Sequence, residues 1–408
     1  MTASQERMAE REVRFPVGAA ITLDELDQDP YPAYRRLREQ EPVSWIPALG
    51  MYYVTRYEDV QKVLRDTGNY VVGTEGSTLM DTFGEHMLTT EGAQHDRYKN
   101  PLLPSFRTGP VRATMETDIR QHVDSLIDGF VAEGKVELRS AFARRLPVLS
   151  ILSLFGLPSE DEPLVRQWYD SFEHALANFT WDEGVRAEGR RSSVAFHTWL
   201  QAHLEARRQQ PDERLLSQML NMDAPLRLSD EEIRRNASVI FFGGISTVEA
   251  LILNTLYALN EHPEIAQRIS AEPQLLPKVL SEVMRWLSPV QSATRHVIND
   301  TELGGVHFRR GDTVNCMLGA ANHDPAVFPD PQRFDPDRNN LQRHFGFALG
   351  THHCLGLHLA RLEAEIAITQ LMQRLPGVQF DPAHAVEVRG YEFRQPHSLH
   401  LRWESGEA

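Results

Sequence analysis

The chain has few of the residues that define several common protein classes. Its 408 residues include only two cysteines, Cys316 and Cys354, so a disulfide framework is excluded and a reducing, cytoplasmic setting is expected. Basic residues are outnumbered by acidic ones, and the formal net charge of -15 argues against general nucleic-acid binding and favours solubility. No Pro-, Gly- or Ser-rich linker or internal repeat divides the chain, so we expect one large domain over residues 1–408.

Long apolar runs are almost absent as well. The first twelve residues are charged and contain no such run, so we expect no signal peptide or anchor there, and we expect residues 1–20 to be flexible. One stretch, Ala237 to Leu259, approaches the length of a membrane span. It contains Glu249 and Asn254 and has charged flanks, which indicates a buried central helix and no membrane anchor.

The patterns that are present are mostly helical. Apolar residues at helical spacing predict helices at Tyr31–Gln40, Tyr57–Arg65, Val111–Ala132, Glu160–Asn178 and Asp182–Gln209. A short strand pair is predicted at Val43–Trp45 and Met51–Val54. Residues 70–90 are rich in glycine and threonine and predict a long irregular loop, which in a compact domain is usually functional or disordered.

The central helix has a clear start and an unusual middle. Ser229 followed by Glu232 is a capping box, so we expect the helix to begin near Asp230 and to run to about Leu259. One of its faces is predicted to carry Val239, Phe242, Gly243, Ser246 and Thr247. The adjacent glycines at 243 and 244 cost roughly 1 kcal/mol each relative to alanine, which indicates close approach of a large flat ligand or a kink.

A short stretch from Phe347 to Gly356 carries the clearest chemistry. It contains Cys354 on a glycine-containing loop, directly before a helix predicted to begin near Leu357. Free backbone N–H groups and the positive end of that helix would stabilise a thiolate, which suits an axial ligand of haem iron. Taken alone, the cysteine could also be a buried small hydrophobe. A zinc cluster of His352, His353, Cys354 and His358 is disfavoured, because structural zinc sites usually use two separated ligand pairs.

This stretch resembles the haem-binding signature of the cytochromes P450, Phe-x-x-Gly-x-His-x-Cys-x-Gly. The matching residues are Phe347, Gly350, His352, Cys354 and Gly356, and Ala348 stands where the family commonly has glycine. The resemblance implies a mainly α triangular-prism fold with small β-sheets. It also implies haem b between the central helix and the helix that follows the cysteine loop, with Cys354 as the iron ligand.

The central helix resembles a second motif of the same family, Ala/Gly-Gly-x-Asp/Glu-Thr. The match is Gly243-Gly244-Ile245-Ser246-Thr247, in which Thr247 would steady activated oxygen. Ser246 replaces the acid that would deliver protons. A serine can pass a proton along a hydrogen-bonded chain but cannot store one near neutral pH. Glu249 could substitute through water, although its offset places it on a different helix face.

Other family positions match residues that are unremarkable in isolation. Locally, His95 and Lys99 suggest a solvated pair on one helix face, and Glu282 with Arg285 a surface ion pair. The resemblance instead makes four residues partners of the haem propionates, namely His95, Lys99, Arg295 and His352. It makes a structural triad of Glu282, Arg285 and Arg333, which fixes the loop that carries the cysteine.

The resemblance also implies a substrate pocket. The predicted lining is apolar and partly aromatic: Leu79, Met80, Phe83, Val239, Phe242, Val290, Ala293 and Phe393. His86 and Arg394 could meet a polar end of a substrate, but solvated positions are the more common outcome for such residues. Loop 70–90 would cover the substrate, and the helical hairpin 160–209 would open as a lid.

The implied activity is insertion of one oxygen atom from dioxygen into a small to medium apolar organic substrate. Electrons would come from a separate ferredoxin or flavodoxin with its reductase, since the chain contains no flavin or iron–sulfur motif. An acidic carrier would dock near Arg343 and Arg361. Two alternatives stay open, a peroxide-driven peroxygenase or another atypical oxidation, and a haem-thiolate binding or sensor protein without turnover.

Overall fold

A computed structural model of the chain describes residues 10–404, and the described residues form two compact units. Unit 1 holds the residues through Val72 together with Ser281–Cys354 and Val388–Gln395. Unit 2 holds Gly73–Leu280, Leu355–Glu387 and the residues from Pro396 onward. The chain therefore passes between the units several times, and the candidate site residues are divided between them.

The strands are short and form four small sheets. Numbered in chain order, they are β1 (Val43–Ile46), β2 (Met51–Val54), β3 (Tyr70–Val71), β4 (Lys135–Glu137), β5 (Ser292–Val297), β6 (Thr301–Leu303), β7 (Val306–Phe308), β8 (Thr313–Met317), β9 (Gln379–Phe380), β10 (Val388–Arg389), β11 (Gln395–Pro396) and β12 (His400–Arg402). The sheets have the orders β1-β2-β8-β5-β3, β6-β7, β10-β11 and β4-β12-β9.

Unit 1 is built on the five-stranded sheet. The predicted strand pair is confirmed, with Val43 opposite Val54 in an antiparallel ladder, and β2 then pairs in parallel with β8. All four residues of β2 are buried, as expected of a strand that is paired on both sides and covered on both faces. Aromatic and branched side chains of the sheet and of the helix Tyr57–Arg65 form one core, which includes the buried thiol of Cys316.

The helices of unit 1 border that core. They are Pro16–Ala19, Leu23–Gln28, Pro30–Gln40, Tyr57–Arg65 and Leu318–Asn322, and the helix Leu276–Trp286 enters the unit at Ser281. Single helical turns occur at Leu341–Arg343 and Gly350–His352. The helix Pro30–Gln40 begins with Asp29, whose side chain accepts a hydrogen bond from Tyr31 N–H, and with Pro30, which has no N–H to satisfy.

Unit 2 is almost entirely helical. Its helices are Thr78–Phe83, Gly92–Lys99, Thr108–Asp128, Leu146–Phe155, Glu162–Leu176, Glu183–Gln209, Leu215–Leu220, Asp230–Gly244, Ser246–Glu261, Pro263–Ala271 and Leu357–Arg374. Shorter helical turns span Leu103–Phe106, Val131–Glu133, Arg139–Ala143, Ser159–Asp161 and Pro273–Leu275. Leu357–Arg374 packs on Thr108–Asp128 and on Ser246–Glu261, so the helix after the cysteine loop lies in the core of this unit.

The predicted helical hairpin is confirmed. The helix Glu162–Leu176 packs along Glu183–Gln209, and Asp182 caps the second helix by accepting a hydrogen bond from Val185 N–H. A Cβ atom at Gly189 would lie 2.5 Å from the Ala175 Cβ atom, so glycine lets the two helices approach closely.

The central apolar helix also lies inside unit 2. Among the described residues, Asp230–Glu261 is the one stretch long and apolar enough to cross a membrane by length and composition, and 72% of its most apolar window is buried in the structure. The capping box is confirmed, because Ser229 Oγ accepts from Glu232 N–H and the Glu232 carboxylate accepts from Ser229 N–H. These features are those of a core helix.

Two local predictions are wrong, and a third is confirmed. Of the segment 1–20, residues 1–9 lie outside the described residues, but Arg11 pairs with Asp312 over 2.6 Å and Phe15 is buried, so the later part is packed and not flexible. Loop 70–90 contains β3 and the helix Thr78–Phe83. The central helix covers the predicted range but breaks at Ile245, whose φ and ψ of -101° and -79° interrupt the backbone hydrogen bonds directly after the two glycines, so the predicted kink is confirmed.

Candidate active site

The cysteine loop in unit 1 is closed by its own backbone. Cys354 N–H donates to the Phe347 carbonyl over 3.0 Å, and Ala348 N–H donates to the Phe345 carbonyl over 2.8 Å. Ala348 has a φ of 55°, in the left-handed region that costs an alanine about 1–2 kcal/mol and costs a glycine nothing. The position at which the sequence departs from the family pattern is therefore a position at which the backbone favours glycine.

Gly350 is required by both conformation and space. Its φ is 75°, and a Cβ atom there would lie 2.6 Å from the Leu64 backbone oxygen. The loop consequently rests directly on the end of the helix Tyr57–Arg65. Tyr57 in the same helix stacks its ring on Phe345 with centroids 4.3 Å apart and donates its hydroxyl to the Arg343 carbonyl over 2.9 Å. These contacts fix the segment that leads into the cysteine loop.

A buried ion pair holds the neighbouring chain segments of unit 1. Arg285 donates from Nε and Nη2 to both carboxylate oxygens of Glu282 over 2.8 and 2.7 Å, and both side chains are 0% exposed. The same guanidinium donates to the carbonyls of Asn322, Pro331 and Arg333. The pair predicted from the sequence is therefore confirmed as a buried structural pair.

The prediction that Arg333 is the third member of the triad is wrong. The Arg333 side chain is 68% exposed and lies 3.9 Å from Asp335, and only its backbone carbonyl contacts Arg285. Arg338 instead donates from Nε to Glu282 over 3.2 Å and is 7% exposed. Its other guanidinium nitrogens donate to the carbonyls of Pro329, Asp330 and Arg333, so it fixes the whole segment.

Cationic and histidine side chains predicted to hold propionates are mostly buried. In unit 1, Arg295 on β5 is 5% exposed and donates from Nη1 to its neighbour's carbonyl over 2.9 Å, while His352 is partly exposed. In unit 2, His95 and Lys99 are 4% and 8% exposed on the helix Gly92–Lys99. Neither is the solvated surface residue that local sequence alone suggests.

The break in the central helix redirects two backbone groups of unit 2. Ser246 N–H, which would bond within a continuous helix, donates to the hydroxyl of Tyr169 over 3.2 Å. Thr247 Oγ1 donates to the Gly243 carbonyl over 2.7 Å. The Ser246 N–H and the Gly243 carbonyl are therefore both satisfied at the interruption, by a phenol and by a threonine hydroxyl.

The adjacent glycines have different environments. A Cβ atom at Gly244 would lie 2.7 Å from Ile151 Cδ1, so this glycine permits close packing on the helix Leu146–Phe155. A Cβ atom at Gly243 would meet nothing within 4 Å. Gly243 is exposed and Thr247 partly exposed in an otherwise largely buried helix, so open space lies beside the break on this face.

Ser246 and Glu249 do not share that open face. Ser246 is 2% exposed and points into unit 2, which corrects the predicted common face with Gly243 and Thr247. Glu249 is also buried, and its carboxylate accepts a hydrogen bond from Arg139 Nε over 2.6 Å. The hypothesis that Glu249 replaces the missing acid through water is therefore not supported, because this carboxylate is engaged in an ion pair.

Aromatic rings surround the break in unit 2. Phe83 packs edge-on against Phe172 with centroids 4.9 Å apart and lies 6.2 Å from Phe242. Phe242 also stacks with Tyr169 at 6.0 Å. The structure thus brings Phe83 and Phe242 together, as predicted for lining residues, while Val239 is buried and Leu79 and Met80 are partly exposed.

An ion-pair cluster ties the loop helix Thr78–Phe83 to the hairpin of unit 2. The Asp81 carboxylate accepts from Arg186 Nη2 over 2.9 Å and from Arg190 Nη1 over 3.1 Å. Hydrogen bonds from Arg186 hold the pKa of Asp81 below its usual value. The segment predicted to cover a substrate and the hairpin predicted to act as a lid are therefore held together by charge.

The predicted lining residues of unit 1 also meet. Val290 forms an isolated antiparallel bridge with Phe393, and Ala293 on β5 packs partly buried against the unit 1 core. Gly390 has a φ of 109°, and a Cβ atom there would lie 1.8 Å from the Phe393 carbonyl oxygen. The tight turn that carries Phe393 consequently depends on glycine.

The two candidate polar anchors, His86 and Arg394, are not solvated. His86 is 0% exposed, and its Nδ1 accepts a hydrogen bond from Leu88 N–H. Arg394 is 4% exposed and donates to the carbonyls of Asp27, Gln28 and Gly390. His86 therefore stabilises nearby backbone, and Arg394 joins its own turn to the backbone at Asp27 and Gln28, so the expectation of solvated positions is wrong.

Two residues that sequence reasoning missed are Arg338 and Tyr169. Arg338 follows a run of acidic and proline residues, and no spacing rule connects it with Glu282, which lies 56 residues earlier. Tyr169 lies on an amphipathic helix where an apolar-facing tyrosine is ordinary. The Tyr169 hydroxyl is needed as an acceptor only because the break at Ile245 leaves Ser246 N–H without a helical partner. The adjacent glycines at 243 and 244 are the sequence feature that indicates this break.

The features of each unit suit a haem group. Unit 1 offers a partly exposed thiol on a closed loop and a buried guanidinium, while unit 2 offers open space beside Gly243 and buried His95 and Lys99. A thiolate, room for a flat ring and cations for carboxylates are the donor set that haem requires. Among residues 10–404, no group of three or more His, Cys, Asp and Glu residues is placed to hold a metal ion.

Comparison with known proteins agrees with this donor set. The family model Cytochrome P450 matches residues 165–387. The mycinamicin IV hydroxylase/epoxidase of Micromonospora griseorubida is 33% identical over 85% of this chain and 88% of its own. The chain belongs to the cytochrome P450 family. The biotin biosynthesis cytochrome P450 of Bacillus subtilis is 30% identical, over 89% of this chain and 93% of that protein.

Solved structures show the same fold. The crystal structure of P450BioI in complex with an acyl carrier protein ligated to hexadec-9Z-enoic acid superposes with a TM-score of 0.84 and 29% identity, covering 92% of this chain and 99% of that one. The predicted fold class, mainly helical with small sheets, is confirmed. The chain is a cytochrome P450 monooxygenase, of the family that uses haem iron.

Proposed function

We propose that this cytochrome P450 inserts one oxygen atom from dioxygen into a small to medium apolar organic substrate, with haem b as cofactor. Electrons come from a separate ferredoxin or flavodoxin with its reductase. Residues 1–408 act as one catalytic domain in the cytoplasm. The observation that carries the proposal is the cysteine loop, which is closed by Cys354 N–H on Phe347 and ends directly before the helix Leu357–Arg374.

Each proposed role follows from the environment of a side chain. Cys354 binds the iron as a thiolate, which the free N–H groups of the following helix stabilise. Bound haem supplies the activation of dioxygen, and Phe347, Gly350 and Gly356 shape the loop against it. Four side chains neutralise the propionates: His95, Lys99, Arg295 and His352. A lysine binds a carboxylate as a point charge, whereas Arg295 can bind it with two parallel hydrogen bonds.

Thr247 is the residue proposed to act on oxygen. Its hydroxyl donates to the Gly243 carbonyl across the helix break and is partly exposed. The Thr247 hydroxyl can turn away from this carbonyl and donate its hydrogen bond to an oxygen ligand, while the Gly243 carbonyl accepts a hydrogen bond from water in its place. Gly243 leaves open space for that ligand, and Gly244 sets the helix against its neighbour.

The proposed substrate is apolar, because the candidate lining residues of both units are apolar or aromatic. In unit 2 these include Phe83 and Phe242, and in unit 1 Val290 and Phe393. The buried positions of His86 and Arg394 leave neither available as an anchor for an anionic group. One relative acts on mycinamicin IV and one structure contains a carrier-bound fatty acyl chain, so both free and carrier-bound substrates belong in the test.

Docking of the electron carrier is proposed at Arg343 alone. Arg343 is exposed beside the cysteine loop in unit 1, and its guanidinium lies over the Tyr57 ring at 5.3 Å. Arg361 is a weaker candidate, since it is only partly exposed and burial lowers its pKa. Arg343→Glu should slow reduction by an acidic carrier and leave substrate binding unchanged.

The proposal is tested by titrating the ferric protein with candidate substrates. The set includes terpenoids, aromatics, fatty acids, macrolides such as mycinamicin IV, and an acyl chain bound to a carrier protein. We expect one class to shift the haem from low to high spin, and the same compound to gain one oxygen atom from isotopically labelled dioxygen. A purified protein without haem, or a spectral shift without oxygenated product, would contradict the proposal.

A second candidate function, peroxide-driven oxidation, is favoured by one observation. Ser246 occupies the position of the usual acid, so no carboxylic acid adjoins Thr247 in the chain. The serine side chain is also buried. Turnover with hydrogen peroxide that exceeds carrier-driven turnover on the same substrate supports this alternative. The reverse ratio supports the dioxygen-dependent monooxygenase.

A further inference from the structure

A buried polar cluster lies behind Ser246 on the side of the helix away from Gly243. Tyr169 is 3% exposed and Ser246 is 2% exposed, and the Tyr169 hydroxyl accepts the Ser246 N–H over 3.2 Å. The Ser246 hydroxyl is buried with no hydrogen bond of good geometry to any residue in the described part of the chain. A serine hydroxyl that can rotate therefore lies directly beside a phenol.

The cluster continues from Tyr169 to an acid that has access to solvent. Glu173 lies four residues after Tyr169 on the helix Glu162–Leu176, so the two side chains share a face. Glu173 is partly exposed, and its carboxylate raises the pKa of Tyr169 in addition to the larger effect of burial. The order Glu173, Tyr169, Ser246 thus leads from the surface of unit 2 to the helix break.

Burial and neighbouring carboxylates favour a proton on Glu173. Burial raises the pKa of Glu173, and the carboxylate of Glu249 raises it further. Arg139 and Arg144 oppose this shift, but Arg139 is paired with Glu249 and Arg144 is paired with Asp170. Glu173 can therefore hold a proton nearer neutral pH than an exposed carboxyl group can.

We propose that Glu173 and Tyr169 form a proton relay behind Ser246, which replaces the carboxylic acid absent from position 246. The inference rests on the proposed role of Thr247 at the neighbouring position. The Glu173 carboxyl donates its proton to the Tyr169 hydroxyl, which donates its own to Ser246 Oγ. The Ser246 hydroxyl then rotates and donates its proton to the Thr247 hydroxyl, which passes its own to the oxygen ligand in the open space beside Gly243. Each O–H bond broken is matched by one formed, and Glu173 regains a proton from solvent.

Neither hydroxyl has to ionise in this relay. A hydroxyl can accept one proton while it donates another, so the high pKa of Tyr169 is no obstacle. Tyr169 and Glu173 act through Ser246 and are positioning and relay residues, since neither is placed to touch substrate or cofactor. Ser246 then only accepts a proton from Tyr169 while it donates its own, and it does not need to store a proton.

The test uses the haem-loaded enzyme with its substrate and carrier. Glu173→Gln leaves the Ser246 N–H bond intact, and Tyr169→Phe keeps the ring that stacks on Phe242. We expect each variant to lower the coupling, which is the amount of product formed per electron consumed, by roughly tenfold. Loss of a positioned acid usually lowers the rate of proton delivery by at least this factor. Substrate affinity and the spin-state shift should not change.

A control and a rescue separate the relay from general damage to the fold. Tyr34→Phe removes a different buried hydroxyl, in unit 1, and should retain the coupling of the wild type. Ser246→Asp combined with Glu173→Gln should restore coupling, since a carboxylic acid then stands directly at position 246.

A spectroscopic readout does not depend on turnover. In the resting ferric protein, the infrared C=O stretch of a protonated carboxyl group should disappear in Glu173→Gln and shift in Tyr169→Phe. In the wild type, coupling should fall as the pH rises through the pKa of Glu173, and this limb should vanish in Glu173→Gln. The groups that face Glu173 and tune this limb are Tyr169, Asp170, Glu249, Arg139 and Arg144.

The outcomes distinguish the relay from the proposed function. Wild-type coupling in both Glu173→Gln and Tyr169→Phe, or a Glu173 that is ionised throughout, overturns the relay while the monooxygenase proposal stands. A wild type that consumes no electrons in response to any substrate refutes the proposed function itself. Loss of coupling in Tyr34→Phe equal to that in Tyr169→Phe also overturns the relay, because the effect is then not specific to Tyr169.

Discussion

Arg338 donates from Nε to Oε1 of Glu282 over 3.2 Å, and the two side chains are 7% and 0% exposed. Glu282 therefore balances two guanidinium groups in the interior of unit 1, those of Arg285 and Arg338. Because these arginines also donate to carbonyls of the segment 329–333, the cluster anchors an irregular stretch that has few backbone hydrogen bonds of its own.

Removal of the Arg338 side chain should therefore lower the stability of the protein strongly, although no catalytic role is proposed for this residue. We expect Arg338→Ala to lower the free energy of unfolding by about 3–5 kcal/mol, because it leaves a buried carboxylate with one partner fewer. Arg333→Ala is the matched control and should change stability by less than about 0.5 kcal/mol, since that side chain is exposed. Chemical denaturation with haem content as a second signal checks both. Equal effects of the two substitutions would show that the assignment to Arg338 is wrong.

Substitution of Gly350 in the cysteine loop tests both its positive φ and its close contact with the Leu64 backbone. Gly350→Ala should lower the free energy of unfolding by about 2–4 kcal/mol, because alanine is strained at a positive φ and its Cβ would overlap the Leu64 carbonyl. Gly377→Ala has a similar φ of 65° but open space, so it should cost only about 1–2 kcal/mol. Ala348→Gly should change stability by less than about 1 kcal/mol. If Gly350→Ala were no worse than Gly377→Ala, the contact with Leu64 would have no energetic weight.

Thr247 can be compared with a second threonine of the same helix. Thr255 also donates to the carbonyl four residues earlier, over 2.6 Å, but it is fully buried. We expect Thr247→Ala to lower product per electron by roughly tenfold or more, whereas Thr247→Ser should retain most of it because the hydroxyl remains. Thr255→Ala should cost about 1 kcal/mol of stability and leave coupling unchanged. Product and hydrogen peroxide yields measure the difference, and a Thr247→Ala enzyme with normal coupling argues against the role.

The buried carboxyl group of Glu392 in unit 1 should make the free energy of unfolding depend on pH. Burial raises its pKa from 4.5 to about 7, although Ser292 and Asn315 donate hydrogen bonds to its carboxylate. Between these values the folded state binds the proton and the unfolded state does not, so the unfolding free energy falls as the pH rises from about 4.5 to about 7. Glu392→Gln should remove this pH dependence, which amounts to a loss of roughly 3 kcal/mol in the unfolding free energy over the window. Denaturation at pH values across the window checks this, and parallel curves for both proteins would contradict it.

Much of the fold could be predicted because its signals are local. The capping box at Ser229 and the apolar spacing placed the long helices to within a few residues. The signature around Cys354 and the pair Glu282–Arg285 were also recognisable, since each is carried by residues close in sequence. The sequence therefore indicated the family and the elements that carry its motifs.

The features that could not be predicted depend on residues far apart in the chain. Arg338 was missed because only the folded segment brings it to Glu282, and nothing in local spacing prefers it to Arg333. The partners of Ser246 and Glu249, Tyr169 and Arg139, lie 77 and 110 residues away. The break at Ile245 was foreseen only as one of two explanations for adjacent glycines.

The most direct test of the account is the optical spectrum of the purified ferric protein beside two variants. Cys316 is buried in the core of unit 1, where burial raises its pKa to about 12, so it should not ligate iron. We predict a haem-thiolate spectrum for the wild type and for Cys316→Ser, and loss of that spectrum in Cys354→Ser. A haem-thiolate spectrum that survives in Cys354→Ser, or a wild type that binds no haem, would contradict the central claim.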